Sequence, residues 1–238
     1  MLFIIQNDPE VPPGAYADYL TEMGTPFTVI HPYRGEALPP VAAVSAVIVL
    51  GGAMSVHDVD RHPFLTALKG FIRRCVQAGT PFLGICLGGQ LLADVLGARV
   101  TACSPCGEKG TLTVRLTAAG RIDPFFDGVA EEFVTFQWHS DSFALPEGAV
   151  LLASSAACPN QAFRYGENAW GTQFHPEVNR DIVDCWSRWS EETEFAADDY
   201  LKEFVGQEEG YRSAARTLLR NFSRLSGLMA SSDNAGLS

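Results

Sequence analysis

Three short runs in the first part of the chain, Leu2–Gln6, Ser45–Leu50 and Pro81–Ile85, are almost wholly apolar, and the second (SAVIVL) is largely β-branched. A run with no polar alternation cannot lie half-exposed, so each predicts a strand covered on both faces. Turn residues follow the first two: Asp8-Pro9 and Pro12-Pro13-Gly14 after one, Gly51-Gly52 after the other. Between the strands, Ala15–Met23 closes at Gly24 and Pro63–Gln77 stops at Gly79, both with helical spacing. Phe27–His31 reads as a further strand, and Gln90–Leu96 resumes helical spacing. Strand and helix thus alternate, which predicts a parallel sheet with helices on both faces.

The texture changes after about residue 98. Val100–Cys103, Thr111–Thr117, Phe133–His139, Val150–Ser154, Gln161–Tyr165 and Ala169–Phe174 are short strand candidates separated by Gly, Pro and Asn. The stretch Arg164–Ala169 (RYGENA) has the composition of a hairpin connection. These strands are expected to complete the sheet in antiparallel or mixed fashion. Asp181–Trp189, Phe195–Val205 and Tyr211–Leu225 read as helices, and the tail Ser231–Ser238 is expected to fray. No repeat, linker or low-complexity block divides the chain. Its 238 residues suit one α/β domain, with a central mixed, mostly parallel sheet flanked by helices and a C-terminal helical extension.

Charge narrows the class of partner. Seventeen Lys+Arg against 28 Asp+Glu give a formal net charge of −11, which argues against a nucleic-acid backbone and against anionic membranes. No apolar run approaches the roughly 20 residues needed to span a bilayer. The start MLFIIQNDPE lacks the basic segment of a secretory signal, and six cysteines are too few for a disulfide framework. The expected setting is a reduced cytoplasm.

Gly84-Ile85-Cys86-Leu87-Gly88 is the sharpest chemical signal. It has the form of a strand-to-helix elbow with a cysteine nucleophile at its apex, where flanking glycines avoid a Cβ clash. A helix N-terminus beside the sulfur favours the thiolate. A thiolate attacking a carbonyl needs a proton shuttle, and His175 in Gln173-Phe174-His175-Pro176-Glu177 is the candidate. Pro176 biases His175 toward an extended conformation, where residues two apart point the same way, so Glu177 can reach the imidazole. Gly52 and Leu87, at the ends of adjacent strands, are the natural backbone donors for an oxyanion. The plainer readings are a buried structural cysteine, a surface His-Pro turn and an ordinary Gly-Gly turn.

Taken together, GGAMSVHD, GICLGGQ and QFHPE resemble the class I glutamine amidotransferases, the Cys-His-Glu glutaminases of flavodoxin-like fold. The resemblance covers residues 1 to about 190, leaving 191–238 as the extension. Within that family the chain is similar to free-standing members related to the glutaminase domain of GMP synthase, through Gln137-Trp138-His139-Ser140-Asp141 and Asn160-Gln161-Ala162-Phe163-Arg164. The resemblance implies a nucleophilic Cys86, an acid/base His175 oriented by Glu177, and an oxyanion hole from Gly52 and Leu87. It implies substrate contacts from Gln90 and from the His139, Ser140 and Asp141 loop, for which a satisfied polar turn is the other reading. Ala53 stands where many members have Pro. Lys109 and Thr111 replace an apolar and an aromatic residue after Glu108, which bears on substrate preference rather than on the triad.

Other candidates are weaker. Cys103-Ser104-Pro105-Cys106 lacks a second pair for a four-ligand zinc site and a following helix for a redox motif. His57 and His62 flank Asp58 and Asp60 but read as a solvated loop. Trp186 and Trp189 have helical spacing and suit a core stripe or a partner contact. No metal and no organic cofactor is implied. The expected reaction is hydrolysis of glutamine to glutamate and ammonia through a Cys86 thioester, with no ATP-binding loop to activate an acceptor, so that a separate synthetase subunit would receive the ammonia. A free-standing γ-glutamyl peptidase and a non-catalytic binding or regulatory protein of the same fold remain as alternatives.

Overall fold

The computed structural model describes residues 1–229; the tail at Ser231–Ser238 lies outside the described residues. The first apolar run forms β1 (Leu2–Ile5), followed by α1 (Ala15–Glu22) and β2 (Phe27–Ile30). SAVIVL supplies β3 (Ala46–Val49), then come α2 (Phe64–Gln77), β4 (Phe82–Ile85) and α3 (Leu87–Val95). β1 pairs in parallel with β2 and β3, and β3 with β4. Every residue of β3 and β4 is buried, the physical reason for their unbroken apolar character. Alternate β3 residues feed two cores: Ala46 and Ile48 pack on the side of α1, Val47 and Val49 on the side of α2 and α3. Helix α3 begins at once after the elbow rather than at Gln90.

The second half contributes β5 (Val100–Thr101), β6 (Glu108–Leu116), β7 (Glu132–His139), β8 (Ser142–Phe143), β9 (Val150–Ser154), β10 (Ala162–Tyr165) and β11 (Ala169–Thr172). The main sheet has nine strands in the order β2-β1-β3-β4-β11-β10-β9-β6-β7. β11 returns parallel to β4, placing a strand from the end of the chain beside the elbow. β10 and β11 form the hairpin predicted at 164–169, and β9, β6 and β7 continue antiparallel. The strand expected over 100–103 stops at Thr101, because Cys103 turns the backbone at φ 47°. That short strand leaves the main sheet and pairs with β8, a strand too short to show a pattern in the sequence.

Among the described residues three helices follow: α4 (Arg180–Ser187), α5 (Glu191–Glu194) and α6 (Ala197–Leu225). Asn179 caps α4, its side-chain oxygen accepting from the Ile182 N–H at 3.0 Å. The break expected at 206–210 does not occur; α6 is continuous for 29 residues. Gly206 and Gly210, which fall in that interval, face open space. Each costs about 1 kcal/mol against alanine in a helix. Burial of Phe204 and Tyr211, whose rings pack 4.9 Å apart on either side, outweighs that cost. α6 lies against β7, α4 and α1 and shares their core.

Candidate active site

β4 ends at Ile85, and Cys86 takes φ 50°, ψ −107° before α3 begins. A non-glycine residue held there stores about 1–3 kcal/mol of strain, sustained by its surroundings. The Cys86 N–H donates to the Thr172 carbonyl on β11 at 2.8 Å, and the Cys86 carbonyl accepts from the Gln90 N–H at 2.8 Å. Glycine makes the turn possible by close approach. A Cβ on Gly88 would lie 2.0 Å from the Val49 carbonyl oxygen, and one on Gly84 2.4 Å from that of Gly88. α3 therefore rests directly on the sheet backbone, with its N-terminus under the Cys86 sulfur.

His175 is fixed from several sides. Its N–H donates to the Phe136 carbonyl of β7 at 2.8 Å, and its ring meets the Trp186 ring edge-on at 4.7 Å. Nδ1 lies 2.7 Å from Glu177 Oε1, with both side chains buried, which leaves Nε2 as the nitrogen available to the Cys86 sulfur. The Glu177 backbone is pinned in turn, its carbonyl accepting from the Ala15 N–H at 2.8 Å. Gly14, at φ 49°, permits this contact, since a Cβ there would stand 2.2 Å from that carbonyl oxygen. Burial disfavours charge on His175, but the Glu177 carboxylate and the Cys86 sulfur outweigh it and raise the imidazole pKa from 6.5 to about 10. The imidazolium form of the ring is thus favoured beside the Cys86 sulfur.

Leu87 opens α3, so its N–H has no intrahelical acceptor. Gly52 stands next to it: a Cβ on Gly52 would lie 2.9 Å from Leu87 Cδ2. Among the described residues neither N–H donates to a backbone carbonyl, so both are available to an anion. Gln90 is buried and donates from Nε2 to the Asp141 carbonyl at 3.1 Å and to Gln173 Oε1 at 3.3 Å. His139 is buried with Nδ1 at 3.0 Å from the same Asp141 carbonyl. Ser140 is exposed, and Asp141 Oδ1 accepts from the Cys103 N–H at 3.1 Å. The structure therefore gathers Cys86, His175, Glu177, Gly52 and Leu87 at the carboxyl edge of the parallel strands. It joins Gln90 to the His139–Asp141 loop beside them.

Several participants escape sequence reasoning. Gln173 donates from Nε2 to Cys86 Sγ at 3.6 Å and links that sulfur to Gln90. The alternation that pairs His175 with Glu177 also reaches Gln173, so a signal existed. Tyr211 on α6 places its hydroxyl 3.1 Å from both the His175 and Val178 carbonyls, and nothing local in the sequence announces that contact. Tyr16 is buried close to Glu177, and its phenol pKa is pushed up by burial and by that carboxylate. Trp186 belongs to the core, its indole N–H donating to the Glu10 carbonyl at 2.7 Å, and the Trp189 ring packs against it at a tilt. Lys109 reaches Glu192 at 3.3 Å and lies over Trp138. His57 bonds the Val100 carbonyl at 3.0 Å.

The chain is similar to known proteins in both sequence and fold. The sequence model of the family Glutamine amidotransferase class-I matches residues 15–182. The glutamine amidotransferase-like protein YfeJ of Salmonella typhimurium is 33% identical over 196 residues, 81% of each chain. GMP synthase [glutamine-hydrolyzing] of Streptococcus thermophilus is 36% identical over 140 residues, 57% of this chain and 25% of that one. The chain thus spans about a quarter of the length of that synthase. A glutamine amidotransferase of Thermotoga maritima superposes with TM-score 0.72 at 31% identity, over 95% of this chain and 93% of that one. A glutamine amido transferase of Methylobacillus flagellatus gives TM-score 0.81 at 26% identity, over 100% and 98%.

Proposed function

Because the chain belongs to the class I glutamine amidotransferase family, we propose that it hydrolyses the γ-amide of glutamine at Cys86 and passes the ammonia to a separate synthetase. The observation that carries this reading is the strained Cys86 elbow facing the buried His175–Glu177 pair, with the Gly52 and Leu87 amides free beside it. In the first half-reaction the Cys86 thiolate attacks the γ-carbonyl carbon, and the carbonyl electrons move to oxygen under the Gly52 and Leu87 N–H groups. The oxyanion collapses, the C–N bond breaks, and the His175 Nε2 proton leaves with ammonia. A γ-glutamyl thioester remains. The now neutral His175 takes a proton from water, hydroxide attacks the thioester, and the thiolate departs as glutamate is released. Imidazolium and thiolate are thereby restored.

In this reading Gln90 and the His139–Ser140–Asp141 loop hold the amino-acid end of the substrate. Residues 1–190 carry the chemistry, and 191–238 form an extension whose α6 supports the loop bearing His175. Among the described residues no helix is long and apolar enough to cross a membrane. The test is ammonia release from glutamine by the full chain and by Cys86→Ala, with mass spectrometry of the intact protein after brief exposure to glutamine. Expected are a γ-glutamyl adduct on Cys86 and loss of turnover in the variant. A Cys86→Ala chain that still releases ammonia at the wild-type rate sinks the proposal. Faster turnover of γ-glutamyl peptides than of glutamine, in the absence of any synthetase, would transfer the same chemistry to a peptidase.

A further inference from the structure

A second group of ligating side chains lies behind the substrate loop. Glu108 opens β6 and His139 closes β7, directly opposite each other in the antiparallel register. Cys158 sits in the turn between β9 and β10. All three are buried, and one ligand atom from each (a carboxylate oxygen, an imidazole nitrogen and Sγ) lies within 4.8 Å of the others. The catalytic scheme above uses none of these atoms.

The hydrogen bonds decide what this group lacks. His139 Nδ1 faces the Asp141 carbonyl at 3.0 Å, and only an N–H can pair with a carbonyl. Nε2 is the other ring nitrogen; it is buried, has no hydrogen-bond partner, and lies 3.6 Å from Glu108 Oε2, which itself accepts from Gln161 Nε2 at 2.5 Å. That distance is too long for a hydrogen bond, so Nε2 is left unsatisfied in a buried place. A cation between the nitrogen and the carboxylate would give it a partner. Zinc bonds of about 2.0–2.2 Å to nitrogen and oxygen in a tetrahedron give an N···O edge of about 3.4 Å, close to the spacing here. The outer contacts are also in place: Asp141 fixes the histidine tautomer, the Ser155 hydroxyl shares its one proton between the Glu108 oxygens at 2.8 and 2.9 Å, and Gln161 Nε2 donates to Oε2 at 2.5 Å.

We propose that Glu108, His139 and Cys158 form a binding site for one divalent metal ion of the zinc type. One sulfur, one imidazole nitrogen and one carboxylate oxygen suit a borderline-soft ion and disfavour magnesium or calcium. On binding, the Cys158 S–H bond breaks, its proton leaves to solvent, and an S–metal bond forms; His139 keeps its Nδ1 proton. Burial otherwise pushes the Cys158 thiol up to about 12, a shift that a bound cation reverses. Such an ion pins the end of β7, and through it the Asp141 carbonyl that Gln90 contacts. The inference stands apart from the glutaminase reading, since its readout is metal binding.

The experiment titrates zinc, then cobalt, into the full chain carrying Cys86→Ala, Cys103→Ser and Cys185→Ser, so that the elbow and exposed thiols cannot contribute. Expected are one zinc per chain, sulfur-to-cobalt absorption, and a higher Tm with zinc. Cys158→Ser and Glu108→Gln in that background should each weaken zinc binding by at least the ~10–100-fold that loss of an outer-shell partner costs. A parent chain that binds no zinc, or cobalt without sulfur absorption, overturns the site. So does zinc affinity unchanged by either substitution. If Cys158→Ser fails to fold, the cobalt spectrum of the parent and Glu108→Gln still decide.

Discussion

Replacing Glu177 by glutamine removes one negative charge while keeping an oxygen that can accept the His175 Nδ1 proton. It therefore separates the charge of the carboxylate from its role in orienting the ring. His175 titrates at about 10 rather than 6.5, because Glu177 first and Cys86 second overcome the burial that opposes its charge. The sign for activity follows directly. In the proposed mechanism the acid form protonates departing ammonia, so a raised pKa extends activity upward in pH, and kcat/KM should fall as pH rises through about 10. In Glu177→Gln burial acts against a weaker opposition, so the alkaline limb moves to lower pH and the neutral-pH rate drops. Because general acid–base catalysis contributes about 10²–10⁴-fold, kcat should fall within that range. KM should change little, since Glu177 touches the imidazole and none of the residues proposed to hold substrate. The assay is ammonia release across pH 6 to 11, paired with an NMR titration of the His175 ring. A Glu177→Gln chain with kcat within about tenfold of wild type and its limb still near pH 10 would refute the reasoning.

Tyr211→Phe removes the hydroxyl shared by the His175 and Val178 carbonyls, and should cost about 1–3 kcal/mol in denaturant unfolding. Its kcat should fall with little change in KM; unchanged stability and kcat together would count against the clamp. Glycine substitutions should diverge by place. Gly88→Ala puts a Cβ 2.0 Å from the Val49 oxygen and should destabilise by more than the ~1–3 kcal/mol of ordinary overpacking, whereas Gly206→Ala and Gly210→Ala should each stabilise by about 1 kcal/mol. Thermal melts of the three variants decide this, and a stabilised Gly88→Ala would contradict the packing of α3. Alkylation of the native chain at pH 8 should modify Cys103 and Cys185 but spare Cys75 and Cys158, which are buried and whose thiols burial raises to about 12. Peptide mapping that finds Cys75 labelled as fast as Cys185 would show that its core opens.

What could be read from the sequence divides along a physical line. The elbow is legible because its constraints are local: the close approaches of Gly84 and Gly88 and the turn at Cys86 all fall within five consecutive residues. The pairing of His175 with Glu177 is legible for the same reason, through alternation across one proline. Strands β3 and β4 declare themselves because burial on both faces leaves no room for polar residues. The support of the site is not local. Tyr211 reaches the His175 carbonyl from 36 residues away, and Gln90 meets Asp141 from 51 residues away. Both contacts exist only once the sheet order has been set. α6 shows how tertiary packing overrides a local signal. Gly206 and Gly210 mark a break on propensity, yet Phe204 and Tyr211 on the buried face carry the helix through them. The same continuity brings the Tyr211 hydroxyl to the loop bearing His175. A break at 206–210 would have left that tyrosine free to move relative to β7. The helix that the sequence reads as two pieces has to be one for the His175 carbonyl to be held from the side of α6.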